Sequence, residues 1–443
     1  MLNSRLAVLL CGLLISAATL AQDVDPASYG FPLENPFEAT IVTSPPRLRP
    51  ELPSRRTITQ SDYRLDEQTT REFTPQSNFW AVNRLSYRLA RQPHAAPLVF
   101  VIAGTGANYS GRTPEFLKRL FYGDGYHVVQ LSSPTSYDFM VAASRNATPG
   151  ISSADAEDLY QVMRAIRAQH PDLPVTEFHM VGYSLGGLNA AFISHLDESR
   201  RAFNFKKVLL INPPVNLYTS ISNLDLLVQA KVNGLKDSTF FDMLLTRLAT
   251  FFKEQGYIDL NDALIYDFQR SDQRLSDEEM AMLIGSVFRL SVTNLVFTSD
   301  ALNHRGLVTP ANLQINQGTS LTPFMKLALQ CNFDCYLHQQ VLPFWRARFR
   351  NGAQPRDDDV EQLNQQVSLY ALESYLRDNR KLGVMHNTDD FILGPGDLGF
   401  LRRTFGDRLT LYPRGGHCGN LNYRDNSAAI LAFFRDQPPL AQR

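Results

Sequence analysis

The pentapeptide G-Y-S-L-G at residues 182–186 places Ser184 between two glycines, and Gly187 follows it. A strand is predicted directly before this segment and a helix directly after it. A serine on such a sharp strand-to-helix turn projects its hydroxyl above the sheet, where it can attack a carbonyl carbon. The pattern alone is weak evidence, and its context is what predicts Ser184 as a nucleophile.

A serine hydroxyl is a poor nucleophile at neutral pH, so it needs a base, and that base needs an acid to orient it. Among nine histidines, His417 follows two glycines directly after the last predicted strand. The loop after the preceding strand carries two adjacent acids, Asp389 and Asp390. We favour Asp390, because the apolar residues after it return to the core. Asp389 is the alternative acid, and otherwise a turn or helix-capping residue.

An oxyanion formed during acyl transfer needs backbone N–H donors that already point at it. We expect one from Leu185, directly after the nucleophile, and a second from Thr105 or Gly106 in the glycine-rich loop that follows a buried strand. A dinucleotide-binding turn is the rival interpretation of this loop. It lacks its third glycine, because Tyr109 stands there, so we expect no organic cofactor.

Alternating elements are predicted around these residues. Continuous apolar runs indicate strands buried on both faces, and apolar residues at helical spacing lie between them. This alternation predicts an α/β fold with a mostly parallel sheet and helices on both faces. Strands are predicted at 79–89, 98–103, 127–131, 178–182, 207–212, 381–386 and 409–412, and helices at 114–121, 154–169, 397–405 and 428–435.

The alternation stops at residue 216 and resumes after residue 378. The block 216–378 is predicted to be helical, with clear periodicity at 240–252, 278–290 and 362–376. The predicted core is therefore divided between residues 76–215 and 379–443. Residues 22–75 are rich in proline and are predicted to form an extended arm with one short strand at 39–42.

These motifs resemble the α/β-hydrolase superfamily over residues 79–215 and 380–435. The resemblance implies a serine hydrolase with the chain order Ser184, Asp390, His417, which cleaves a carboxylic ester through an acyl-enzyme without metal or cofactor. It also implies that the block 216–378 is a cap. The sequence departs from the family pattern at the oxyanion loop, where Ala103-Gly104 stands in place of His-Gly.

The superfamily supports a reaction class and leaves the substrate open. Amides, thioesters or polyesters would be cleaved by the same residues, which would also transfer an acyl group to an alcohol. A different class of function is a binding or scaffold protein with this fold and no turnover, which would use the arm as its partner surface.

Aromatic residues of the cap form either its own core or an apolar pocket for an acyl chain. The second interpretation predicts a small-molecule or lipid-like ester as substrate and transient contact with a membrane surface. The residues concerned are Phe240, Phe241, Phe251, Phe252, Tyr257, Phe268, Phe288, Phe324, Phe344 and Trp345.

The N-terminus predicts the compartment. Residues 1–5 carry one positive charge, residues 6–20 are almost wholly apolar, and Ala21 precedes a polar segment. This is the pattern of a secretory signal cleaved near Ala21, and its apolar run of about 15 residues is short of the roughly 20 that span a membrane. We expect export to the periplasm or the medium, with an uncleaved membrane anchor as the alternative.

Export to an oxidising compartment would allow a disulfide between Cys331 and Cys335. A metal site is disfavoured, because this close pair has no second pair to complete four ligands. Cys418 is then left over beside His417. The formal net charge is −1 and the sequence has no long Lys/Arg run, so we expect no nucleic-acid partner.

Overall fold

The computed structural model describes residues 22–65, 71, 84–229, 267, 269–316 and 318–436, and their central feature is one nine-stranded sheet. The strands are β1 Gln22–Asp23, β2 Gln60–Arg64, β3 Ser86–Ala90, β4 Ala96–Ile102, β5 His127–Leu131, β6 Val175–Tyr183, β7 Lys207–Ile211, β8 Leu382–Asn387 and β9 Leu409–Tyr412. Their spatial order is β1-β9-β8-β7-β6-β4-β5-β3-β2.

Six of the eight neighbouring pairs in this sheet are parallel, and only the pairs β5–β3 and β3–β2 at one edge are antiparallel. The apolar run of β4 shows why the parallel part forms. Leu98, Phe100 and Ile102 point into one hydrophobic core, and Val99 and Val101 point into a second core on the other face. A strand buried on both faces needs such a continuous run.

Helices cover both faces of the sheet and fill the connection between β7 and β8. The described helices are α1 Pro36–Val42, α2 Arg112–Gly123, α3 Tyr137–Ala142, α4 Ser152–Gln169, α5 Leu185–Arg200, α6 Leu217–Leu226, α7 Asp277–Asn303, α8 Thr322–Gln330, α9 Phe333–Tyr336, α10 Leu342–Phe349, α11 Asp359–Val367, α12 Glu373–Asp378, α13 Asp397–Phe405 and α14 Arg424–Phe434. A π-helix, Leu337–Val341, joins α9 to α10. Short 3₁₀ helices lie at Pro46–Leu48, Leu227–Gln229, Leu369–Leu372 and Gly406–Arg408. The predicted mostly parallel α/β sheet with a helical insertion is confirmed.

The prediction of a strand at residues 39–42 is wrong, because these residues belong to helix α1. The Asn35 side chain accepts the backbone N–H groups of Phe37 and Glu38, and Pro36 stands at the first helical position. An N-cap followed by proline is a strong start signal, and it outweighs the preference of the β-branched residues that follow for strands. The arm also supplies β1 and β2, so it reaches both edges of the sheet.

The described part of the insertion contains helices and no strand. Helix α7 is longer than the predicted 278–290, and it begins with a capping box between Ser276 and Glu279. The single helix predicted at 362–376 is instead divided into α11, a 3₁₀ turn and α12. The break lies at Ser368, whose backbone is extended and whose hydroxyl accepts the N–H of Leu217. The predicted helix at 240–252 lies outside the described residues, and so does the predicted signal.

Among the described helices, α7 is long enough and apolar enough to cross a membrane, by length and composition alone. However, 61% of its apolar window is buried inside the molecule. A core helix has the same composition, and α7 contributes Val292, Leu295 and Val296 to the larger hydrophobic core. The helix thus serves as the central support of the insertion.

Candidate active site

Ser184 lies at the turn between β6 and α5, where the sequence predicted it. Its φ of 53° is in the left-handed region, which is uncommon for a residue with a side chain and marks a strained turn. The flanking glycines are required by space. A Cβ atom on Gly182 would lie 2.0 Å from the Gly186 carbonyl oxygen, and one on Gly186 would lie 2.3 Å from the Ile102 carbonyl oxygen. Strand, turn and helix can therefore pass this closely only with glycine at both positions.

Three side chains from distant parts of the chain meet at this turn. His417 Nε2 lies 2.8 Å from Ser184 Oγ, and His417 Nδ1 lies 3.0 Å from Asp390 Oδ2. Asp390 is on the loop after β8 and His417 is on the loop after β9. The Asp390 side chain is fully buried, whereas that of His417 is 14% exposed. The arrangement allows the serine hydroxyl to donate to Nε2 while Nδ1–H donates to the carboxylate.

The Asp390 carboxylate is surrounded by donors. Asn212 Nδ2 donates to its Oδ2 at 2.8 Å, and the Ile392 N–H donates to its Oδ1 at 3.2 Å. Burial alone would raise the pKa of Asp390, but the charge and hydrogen bond of His417 and the hydrogen bond of Asn212 hold the pKa below its ordinary value. This carboxylate is therefore ionised and able to stabilise an imidazolium.

His386 lies behind this carboxylate, and its imidazole is fully buried. Its Nδ1 accepts the N–H of Asn387, which leaves Nε2–H to donate to the carbonyl oxygen of Pro213. Burial lowers the pKa of His386, so the ring stays neutral and supports the loop without competing for the proton of His417.

Asp389, the alternative acid, faces away from the imidazole. Its two carboxylate oxygens each accept one backbone N–H at 3.0 Å, from Gly415 and from Gly416. Burial raises the pKa of Asp389, and these two hydrogen bonds only partly oppose that rise. In this structure Asp389 holds the loop that carries His417, a role that the sequence analysis did not identify.

Of the three predicted oxyanion donors, Gly106 requires correction. Its N–H donates to Thr135 Oγ1 at 2.8 Å and is already engaged. Leu185 is the first residue of α5, so its N–H has no acceptor within the helix. Thr105 and Leu185 line the same small cavity beside the serine turn. The donors compatible with this geometry are therefore the N–H groups of Leu185 and Thr105.

The cavity beside Ser184 has a volume of about 30 Å³ and a largely apolar wall. The α/β core contributes Leu185, and the insertion contributes Leu217 of helix α6 together with Phe288, Val292 and Leu295 of helix α7. Of the aromatic residues that the sequence singled out in the insertion and that are described, Phe288 reaches this wall. Others pack into the cap itself, as Trp345 does: it is buried, and its Nε1–H donates to Gln366.

The two predicted cysteine partners lie at the edge of this wall. Cys331 and Cys335 are joined by a disulfide, and Phe333 between them lines the cavity. The Phe333 N–H donates to Asp225, which also pairs with Arg289 of helix α7. The disulfide closes a local turn, and the bonds of Asp225 connect this part of the insertion to α6 and α7.

Cys418 is a free cysteine that follows His417 and has a φ of 63°. Burial raises the pKa of its thiol well above the ordinary value. A thiol that stays protonated is a poor nucleophile. Among the described residues, no group of three or more His, Cys, Asp or Glu side chains could hold a metal ion.

No family model and no curated protein matches this chain. Solved structures do match it, at low identity. A putative hydrolase from Legionella pneumophila covers 87% of this chain and 93% of its own, with 11% identity and a TM-score of 0.45. The peroxisomal α/β-hydrolase Lpx1 of Saccharomyces cerevisiae covers 85% and 87%, with 18% identity and a TM-score of 0.40. Est1E from Butyrivibrio proteoclasticus covers 80% and 94%, with 12% identity and a TM-score of 0.37.

The topology itself identifies the fold. A central parallel strand, β6, ends in a strained serine turn that opens helix α5, and the acid and the histidine follow along the chain on the loops after β8 and β9. This arrangement of strand, serine turn and helix is that of the α/β-hydrolase fold. The protein therefore has the α/β-hydrolase fold.

Proposed function

We propose that the protein is a serine hydrolase that cleaves carboxylic esters through an acyl-enzyme. The observation that carries this proposal is the chain of contacts from Ser184 Oγ to His417 Nε2, at 2.8 Å, and from His417 Nδ1 to Asp390 Oδ2, at 3.0 Å. Nucleophile, base and orienting acid are all within hydrogen-bond reach of one another, which is the arrangement that activates a serine.

In the proposed reaction, Ser184 Oγ attacks the ester carbonyl carbon while its proton moves to His417 Nε2. The N–H groups of Leu185 and Thr105 stabilise the oxyanion, and Asp390 stabilises the imidazolium. The tetrahedral intermediate collapses as the bond to the leaving alcohol breaks and His417 protonates that oxygen. A water molecule then gives a proton to His417 and attacks the acyl-enzyme, which releases the acid and restores Ser184.

The wall of the cavity favours an apolar acyl group. Its volume of about 30 Å³ is far below the roughly 300–1,000 Å³ of pockets that enclose drug-sized ligands. A lipid-like chain is larger than this cavity, so the cavity supports a short acyl chain. We therefore propose short-chain esters as the preferred substrates.

The test compares wild type with Ser184→Ala and His417→Ala. We expect a fluorophosphonate probe to label wild type and neither variant, and we expect p-nitrophenyl acetate and butyrate to be cleaved faster than the decanoate. Retained labelling in Ser184→Ala would contradict the assignment of the nucleophile. A folded wild type without labelling or turnover would instead indicate a binding protein with this fold.

We also propose that the protein is exported. The charged start, the apolar run and the small residue at position 21 support this proposal, and the Cys331–Cys335 disulfide is compatible with an oxidising compartment. The mass of the protein recovered from the periplasm or medium of a bacterial host should correspond to a chain that starts near Gln22. A full-length mass in the membrane fraction would indicate an uncleaved anchor.

A further inference from the structure

Helix α1 of the N-terminal arm contacts the loop that carries His417. The backbone N–H of His417 donates to Thr40 Oγ1 at 2.9 Å, and the same hydroxyl donates to the Pro36 carbonyl oxygen at 2.7 Å. The two residues are 377 positions apart in the chain. The Thr40 hydroxyl thus binds the proposed catalytic histidine directly through its main chain.

Two glycines allow the backbone of helix α1 to contact the backbone of the His417 loop directly. A Cβ atom on Gly416, whose φ is 55°, would lie 2.0 Å from the Pro36 carbonyl oxygen. One on Gly419 would lie 2.1 Å from the Ala39 carbonyl oxygen. Glycine on either side of His417 therefore allows helix α1 to approach the loop more closely than any side chain would permit.

Three consecutive N–H groups of this loop are bound from two sides. Asp389 accepts those of Gly415 and Gly416 from the core, and Thr40 accepts that of His417 from the arm. The loop is thereby held between a carboxylate of the core and a hydroxyl of the arm. Removal of either acceptor would leave a partly buried backbone donor unpaired.

The arm also holds the chain on both flanks of His417. Before it, Arg414 Nε donates to the Phe31 carbonyl oxygen at 2.7 Å. After it, Asn420 Nδ2 donates to the Tyr29 hydroxyl oxygen at 2.8 Å. These contacts are made with the segment before helix α1, so residues 29–42 of the arm act as one support.

Helix α1 reaches the cap as well as the histidine loop. It packs against α7, and its Glu38 forms an ion pair with Arg270 at 2.5 Å. Its Phe37 ring lies 5.3 Å from the ring of Phe391, which lies 6.3 Å from the imidazole of His417. The arm thus contacts both helix α7 and the His417 loop, and an ester would bind between these two.

We infer that Thr40 is a positioning residue for His417, and that helix α1 is part of the active-site architecture; this inference rests on the proposed function. Thr40 contacts no reacting atom and acts through the main chain of His417. A displacement of a catalytic group by about 1 Å can reduce the rate on the order of 100-fold. We therefore expect kcat to fall when the hydrogen bond between Thr40 and the His417 backbone is removed.

The test uses Thr40→Val, which keeps the shape and removes the hydroxyl, and Thr40→Ser, which keeps the hydroxyl. Thr57→Val removes an exposed arm hydroxyl that bonds only within its own turn, so it is the matched control. For p-nitrophenyl butyrate we expect Thr40→Val to lose at least about 10-fold in kcat with little change in KM. Thr40→Ser and Thr57→Val should stay close to wild type.

Amide hydrogen exchange gives a readout that does not depend on turnover. The peptide that contains residues 415–418 should exchange faster in Thr40→Val than in wild type or in Thr40→Ser. Unchanged kcat and unchanged exchange in Thr40→Val would overturn the inference. An equal loss in Thr40→Val and Thr40→Ser would also overturn it, because packing and not the hydroxyl would then matter. Absence of turnover in wild type would count against the proposed function alone, and the exchange result would still decide the role of Thr40.

Discussion

Asp389 and Asp390 are neighbours in sequence, yet their carboxylates bind opposite sides of the same loop: Asp390 binds the His417 imidazole, and Asp389 binds two backbone N–H groups that precede it. One side chain orients the ring and the other holds the segment that presents it. Both carboxylates therefore contribute to the position of His417, one through its ring and the other through its backbone.

This division predicts unequal effects of the two conservative substitutions. Asp390→Asn should reduce kcat by about 10⁴-fold, because an amide in this place favours the wrong tautomer of the imidazole. Asp389→Asn replaces one acceptor by a donor that faces an N–H group, so we expect about 10-fold lower kcat and a lower Tm. Steady-state kinetics and thermal unfolding of both variants check this. An equal loss of kcat in a folded Asp389→Asn would contradict the division.

The serine turn predicts that Gly186 tolerates no side chain. A Cβ atom there would lie 2.3 Å and 2.6 Å from the carbonyl oxygens of Ile102 and Ala103, and backbone atoms in a central strand cannot move aside. Gly186→Ala should lower the free energy of unfolding by roughly 1–3 kcal/mol or more. Chemical denaturation measures the change.

Gly399→Ala is the matched control for this substitution. Gly399 lies inside helix α13, and its Cβ would meet only the far end of the Arg403 side chain, at 3.3 Å. Alanine has a better helix propensity than glycine by up to about 1 kcal/mol, so this variant should be as stable as wild type or more so. Equal stability of the two variants would show that the turn is less tight than the structure indicates.

Elements whose signals are local can be predicted from the sequence. The helix Asp397–Phe405 and the strand Leu409–Tyr412 have the predicted bounds, because apolar periodicity and the turn residues beside them are both visible in a short window. Ser184 and His417 each follow a predicted strand directly, and the structure brings their side chains into contact. Such signals suffice for the order of elements along the sheet.

Features that depend on distant contacts could not be predicted in this way. The structure places the favoured acid, Asp390, against His417. The hydrogen bonds of Asp389 to Gly415 and Gly416, which lie 26 and 27 residues further along the chain, have no local signal. The role of Thr40 depends on a partner 377 residues away. Helix α1 was not predicted for a different reason: the prolines of this segment indicated an extended arm, although Pro36 behind the Asn35 N-cap begins a helix.

The apolar cavity predicts how substrate preference can be changed. The Phe288 ring of helix α7 is part of the cavity wall. Phe288→Ala enlarges the cavity, so it should raise the ratio of kcat/KM for octanoate over acetate esters several-fold. Each additional buried methylene contributes about 0.8 kcal/mol, which is the physical basis of this shift. Leu290→Ala, at an exposed position of the same helix, should leave the ratio unchanged. A ratio that is the same in both variants would place the acyl chain elsewhere.

A buried carboxyl beside the cavity predicts that stability falls as pH rises. Asp155 of helix α4 accepts the N–H of Gly150 at 2.9 Å, and Gly150 lines the cavity. Burial raises the pKa of Asp155 to about 8, and the nearby Asp158 adds to the rise. In the unfolded chain an aspartic acid has a pKa of about 3.9. Between about pH 4 and pH 8 the folded state therefore holds a proton that the unfolded state has lost, so the free energy of unfolding decreases with pH across this window.

Asp155→Asn should remove this dependence, because an amide is neutral at every pH and its oxygen can still accept the Gly150 N–H. The Tm of the variant should be close to that of wild type at about pH 4 and should exceed it increasingly up to pH 8. Asp172→Asn, at an exposed position, controls for the loss of one charge. A Tm difference between Asp155→Asn and wild type that stays constant from pH 5 to pH 8 would show that Asp155 is ionised in the folded protein, and that its bond to Gly150 is that of a carboxylate.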